Sequence, residues 1–113
     1  MVLVYYVCSS EAMTESELLA NILDAASKLG WLAFHPRPAR VTRRGVETWE
    51  TAYSGNKGYP DITLARNGDV VMAELKSETG KVTPEQQAWL DATGGYLWRP
   101  GNWLSNEIIE RLE

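Results

Sequence analysis

The sequence predicts an α/β fold, a mixed β-sheet flanked by α-helices. Three observations predict it. Residues 14–29 carry a helical apolar pattern. Asn67-Gly68 joins two strand-like runs, residues 61–66 and 69–76. A helix start at Thr83-Pro84-Glu85-Gln86 is then followed by another strand-like run, residues 96–99. A hairpin, a helix and a further strand, in this order, make a mixed sheet with helices packed on it. The 113 residues form a single domain, 1–113, with one modest core.

Residues 1–12 read as an edge strand or an N-terminal extension, and Met13 follows them directly. The helix over 14–29 is capped near Thr14, has acids in its first turn and is stopped by Gly30. On the helical wheel, Leu18, Leu19, Ile22, Ala26 and Leu29 fall within about 60° of Glu15. Glu15 therefore sits on the core-facing stripe, where a carboxylate needs a partner or a metal. Glu17 falls on the opposite, solvated side. Residues 31–35 (WLAFH) read as a strand. Residues 36–60, rich in Pro, Gly, Arg and Thr, read as a long irregular loop of the kind that carries function in small domains. Threonine, proline and glutamine at 83, 84 and 86 form a capping-box pattern for a helix to about residue 92. Gly94-Gly95 ends it, and a last helix spans 103–112.

The hairpin holds the chemistry. Asn-Gly favours a type I′ two-residue turn, because both positions need positive φ. Arg66 then faces Asp69. Counting outward along both strands, Asp61 faces Glu74, roughly 5 Å away at Cβ. Lys76 projects from the same face as Glu74. Like charges in direct opposition destabilise a sheet, so a cation between them is expected. A hard divalent ion such as Mg²⁺ takes carboxylate and water oxygens. Such an ion beside a lysine suits hydrolysis of a phosphate ester. The plain alternative is a surface hairpin in which Lys76 neutralises one acid.

Gly58-Tyr59-Pro60-Asp61, twelve residues, Glu74-Leu75-Lys76, and then Thr83-Pro84-Glu85-Gln86 together resemble the PD-(D/E)xK nuclease signature. More narrowly they resemble the VRR-NUC family in its standalone, phage-type form, over nearly the whole chain from about residue 14. The resemblance implies a restriction-endonuclease-like PD-(D/E)xK core and a Mg²⁺- or Mn²⁺-dependent DNA endonuclease, with branched or junction DNA as a substrate class. It implies a homodimer in the cytoplasm of a bacterial or phage-infected cell. It assigns catalysis to Asp61, Glu74, Lys76, Glu15 and Gln86. Metal binding falls to Asp61, Glu74, the Leu75 backbone carbonyl and Glu15. Gln86 has both readings, helix cap and site residue. The alternative is a non-catalytic DNA-binding or assembly module on the same fold, and a weaker one is RNA cleavage.

Bulk properties narrow the rest. A net charge of −4 and a pI near 5 argue against a nucleic-acid binder driven by global charge. The arginines are local, however: Arg37, Arg40, Arg43 and Arg44 lie together with no acid between them in sequence, and with Lys57 they are the candidate DNA contacts. Cys8, the single cysteine, cannot form an internal disulfide. The apolar stretch 2–7 lacks a basic n-region, no run is long enough for a membrane span, and a cytoplasmic protein is expected. No organic-cofactor motif occurs. His35 reads as structural, and the five tryptophans as core and interface filler.

Overall fold

A computed structural model describes residues 13–51 and 53–113; the reading of residues 1–12 as a strand or extension lies outside them. The chain forms a mixed α/β domain. Helix α1 (Glu15–Lys28) is followed by β1 (Leu32–Phe34), β2 (Ala39–Arg43), β3 (Val46–Glu50), β4 (Ile62–Arg66) and β5 (Asp69–Leu75). Then come α2 (Pro84–Thr93), β6 (Tyr96–Trp98), α3 (Pro100–Leu104) and α4 (Glu107–Leu112). One sheet has the order β1-β4-β5-β6, with β5 and β6 parallel and the other neighbours antiparallel; β2 and β3 form a separate two-stranded ribbon.

Helices α1 and α2 begin at reciprocal caps that the local sequence encodes. Thr14 Oγ1 accepts from the Glu17 amide at 3.1 Å, and the Glu17 carboxylate accepts in return from the Thr14 amide. This box occupies Glu17 and keeps it away from the sheet. Thr83 and Gln86 form the same reciprocal pair at the start of α2.

The core lies on one face of the four-stranded sheet. Ile62, Leu64, Val71, Ala73 and Leu75 alternate inward and meet Leu18, Ile22, Ala25 and Ala26 of α1, with Trp98, Trp103, Ile108 and Leu112 closing the side. Truncating one of these fully buried leucines to alanine costs about 2–5 kcal/mol. Trp31, Trp98 and Trp103 are core residues. Trp31 Nε1 donates to the Leu112 carbonyl at 2.9 Å, and the Arg66 guanidinium covers the Trp31 ring while donating to the Leu29 and Glu113 carbonyls. The C-terminal helix is thereby tied to the end of α1. The opposite sheet face is covered only in part, by α2, whose Leu90 is buried.

Three expectations are corrected. Residues 36–60 are not irregular throughout, because they contain the β2–β3 ribbon. Its turn, Arg44-Gly45, has φ of 53° and 77°. Arginine at positive φ is an uncommon turn residue, so the signal was weak. The last helix is two helices, because Asn106 takes a left-handed conformation at φ 67°. Glu15 does not continue the buried stripe: most of the residue is exposed, only its carboxyl losing part of its hydration, and Met13 fills the core at that end of α1. Among the described residues no helix is long and apolar enough to cross a membrane.

Candidate active site

Asp61 stands just before β4, and Glu74 near the end of β5. The observed register, Arg66 with Asp69 through Ile62 with Ala73, brings these two to the same end of the hairpin. Lys76 N donates to the Trp98 carbonyl on the β6 side, so Leu75 N–H points towards β4. There it meets the Asp61 carboxylate, with Oδ2 at 2.8 Å. The side chain thus takes the place a strand carbonyl would have. The Asp61 backbone carbonyl is bound by His35 Nδ1 at 2.6 Å. This gives His35 an anchoring role that its sequence neighbours do not advertise.

Glu74 is the one buried charged side chain among the described residues, at 2% exposure. Its carboxyl is pushed up to about 9. Burial is the main cause; hydrogen bonding to Asp61 and the charges of Asp61 and Glu15 add to it, and Lys76 opposes it. Glu15 is also held above its ordinary range, by partial burial first and Asp61 second, with Lys76 pulling the other way. Glu15, Asp61, Glu74 and Lys76 therefore feel one another across a single site. Gln86 joins them from α2. Its Oε1 accepts from the Thr83 amide at 2.9 Å, and its Nε2 reaches Glu74 Oε2 at 3.5 Å. One side chain serves as helix cap and as neighbour of the acid.

Gly58 explains how α2 comes so close. Its φ is +95°, and a Cβ there would lie 2.6 Å from the Glu85 carbonyl carbon and 2.9 Å from the Gln86 nitrogen. Only glycine lets this loop cross the first turn of α2. Tyr59 extends the contact, with its ring edge-on to Trp89 and its hydroxyl 3.0 Å from Thr63 Oγ1. Trp89 Nε1 donates to the Lys57 carbonyl at 3.0 Å. A groove of about 700 Å³ lies between residues 55–57 and the outer side of α2, but none of the clustered acids lines it.

Arg99 was not singled out in the sequence, yet it organises the loop that follows Lys76. Its Nη1 donates to the carbonyls of Ser77 at 2.7 Å, Gly80 at 2.8 Å and Glu78 at 3.3 Å. Glu78 in turn accepts from the Gly101 amide at 3.0 Å. An arginine gathering three carbonyls through space has no local sequence signature.

The basic residues are not gathered into this cluster. Arg40 and Arg43 lie on the ribbon, paired across the strands with Glu47 at 3.8 Å and Glu50 at 2.9 Å, so the patch that is free of acid in sequence is not so in space. Antiparallel pairing brought those glutamates over. Lys57 pairs with Glu85 at 3.5 Å. Arg37 and Arg44 are exposed.

The donor set suits a hard cation. Two neighbouring carboxyl groups, one of them buried, with a third acting on them, carry more negative charge than Lys76 offsets, and without a cation this favours the protonated form of Glu74. Among the described residues, no three acidic, histidine or cysteine side chains are gathered closely enough to enclose an ion. Two carboxylates suffice for Mg²⁺, which keeps several waters. No protein-family model matches the chain, and neither a curated protein nor a solved structure matches it.

Proposed function

We propose that the chain is a divalent-metal-dependent nuclease that hydrolyses DNA phosphodiesters on a PD-(D/E)xK core. One observation carries this reading: Glu74, buried at 2% exposure, is brought by the hairpin register to the same end as Asp61, whose carboxylate is fixed by the Leu75 amide, with Gln86 3.5 Å from Glu74 and the charges of Glu15 and Lys76 acting on it. A purely structural hairpin gains nothing from a carboxylate buried beside another, since each raises the cost of ionising its neighbour.

Asp61 and Glu74 would hold the metal, with the Leu75 carbonyl beside them and Glu15 farther out. When bound, the ion supplies Lewis-acid polarisation and a more acidic water. The chain's own residues do the rest. The Leu75 amide fixes the Asp61 carboxylate in one orientation. Lys76 places positive charge where it can orient a water or balance charge developing on a phosphate. Gln86 holds Glu74 from the α2 side. The low exposure of Glu74 keeps bulk water from screening these interactions.

The test is cleavage of a panel of linear, flapped and four-way DNAs with Mg²⁺ or Mn²⁺. Cleavage is expected to vanish with EDTA, to return with Mn²⁺, and to be lost in Lys76→Ala while its melting temperature stays near that of the parent. Ca²⁺ is expected to support binding without turnover. Full activity in Lys76→Ala would refute the role given to that residue. No cleavage of any DNA by the parent would refute the reading. The branched-DNA preference and the homodimer belong to the same proposal; sedimentation tests the latter.

A further inference from the structure

We infer that the β2–β3 ribbon is an arm that grips duplex DNA beside the candidate active site. The inference takes its ligand from the nuclease proposal but stands on different residues.

The ribbon is rooted at the acid cluster. The chain leaves the sheet after Phe34, and the next residue, His35, is bonded to the Asp61 carbonyl at 2.6 Å. It returns through Gly58-Tyr59-Pro60 directly into Asp61. Both ends of the excursion therefore meet at one catalytic candidate. Between them, β2 and β3 pair with each other and hardly touch the other elements, and nearly all their residues are exposed.

Charge is segregated onto this arm. Residues 37–50 hold four arginines and two glutamates, an excess of two positive charges; the whole chain carries −4, so the remainder carries −6. Phosphates are therefore drawn to the ribbon rather than to the body. The pairs Arg40–Glu47 and Arg43–Glu50 are exposed. Exposed pairs of this kind are weak, so a phosphate can take the place of a glutamate. Arg40 also lies over the exposed Trp49 ring, 5.3 Å from its centroid, which stiffens the ribbon across the strands. The Arg44-Gly45 turn sets Arg43 and Arg44 at the tip.

The dimensions suit a duplex. Strands of five residues span roughly 17 Å at about 3.4 Å per residue. That is about five base-pair steps. A two-stranded ribbon fits the major groove, about 12 Å wide.

The test uses the full chain in Ca²⁺ buffer. Fluorescence anisotropy is measured on a labelled 20-base-pair duplex of arbitrary sequence and on a dT20 single strand. Two variants are compared with the parent: the triple Arg40→Gln/Arg43→Gln/Arg44→Gln, and Arg44→Asn, which removes a tip charge while giving the turn its preferred Asn-Gly. For the triple, the duplex Kd is expected to rise about tenfold or more, with the salt slope falling by about 2–3, near 0.9 for each lost phosphate contact. Arg44→Asn is expected to lower the slope by about 1 with no fall in melting temperature, and dT20 binding is expected to change less. Unchanged duplex Kd and slope in both variants would overturn the arm and leave the ribbon to an acidic protein surface. Equal losses on duplex and single strand would overturn its duplex specificity. Parent cleavage is scored separately with Mg²⁺. Cleavage without a ribbon effect overturns the arm alone, whereas a ribbon effect without cleavage overturns the nuclease and keeps the arm.

Discussion

The Asp61 carboxylate accepts the Leu75 amide at 2.8 Å, and so completes with a side chain the ladder that β4 leaves unfinished. One residue is thereby tied into the sheet and presented to Glu74. The two duties separate by substitution. Asp61→Asn keeps an acceptor for the amide and removes the charge facing Glu74. Its metal-free stability is expected to equal or exceed that of the parent. Asp61→Ala leaves the amide without its partner and is expected to cost about 1–3 kcal/mol in denaturant unfolding. Both are expected to lose cleavage by roughly 10²-fold or more.

Glu74 makes a pH prediction for the metal-free protein. Its folded value, about 9, lies above its ordinary 4.5. Between these values the folded state holds a proton that the unfolded chain has released. The contribution to stability is fully present below about 4.5 and is lost as pH rises towards about 9. Melting temperature in EDTA is expected to fall over this window, and Glu74→Gln to flatten the fall. At pH 8, Mg²⁺ is expected to raise the melting temperature of the parent and to leave Glu74→Gln nearly unchanged. A parent without that slope would mean that Glu74 holds no extra proton in the folded state.

Gly58→Ala tests the approach of α2. The added methyl meets the Glu85 carbonyl carbon at 2.6 Å, at a φ of +95°. The loop or the helix must move. The expected cost is about 1–3 kcal/mol, read by denaturant melts, with a loss of kcat as Gln86 withdraws from Glu74.

Gln86 can be split in the same way. Gln86→Glu keeps the acceptor that bonds the Thr83 amide but sets a carboxylate against Glu74. It is expected to lose cleavage while α2 stays capped. Gln86→Ala loses the cap acceptor as well and is expected to cost about 1 kcal/mol.

Arg99→Ala releases the Ser77, Glu78 and Gly80 carbonyls together. Arg99 is a positioning residue, acting through the loop that begins at Lys76. Faster amide exchange at residues 77–81 and a lower kcat at unchanged DNA affinity are expected. Protection equal to the parent's would mean that the loop holds itself.

The sequence by itself determined whatever depends on a few neighbouring residues. Asn67-Gly68 has one favoured turn, and that turn sets the register that brings Asp61 and Glu74 to the same end of the hairpin. Thr14 with Glu17, and Thr83 with Gln86, start their helices through bonds three residues long. The tertiary structure alone decided what crosses the chain. Packing of α2 under Gly58 set Gln86 against Glu74, and His35 tied the root of the ribbon to Asp61. Arg99 collected three carbonyls from a distant loop, and strand pairing carried Glu47 and Glu50 to the arginines. The physical reason is range. Backbone preference and capping act within a turn, whereas burial, shared protons and ion pairs depend on which distant surfaces the core forces together.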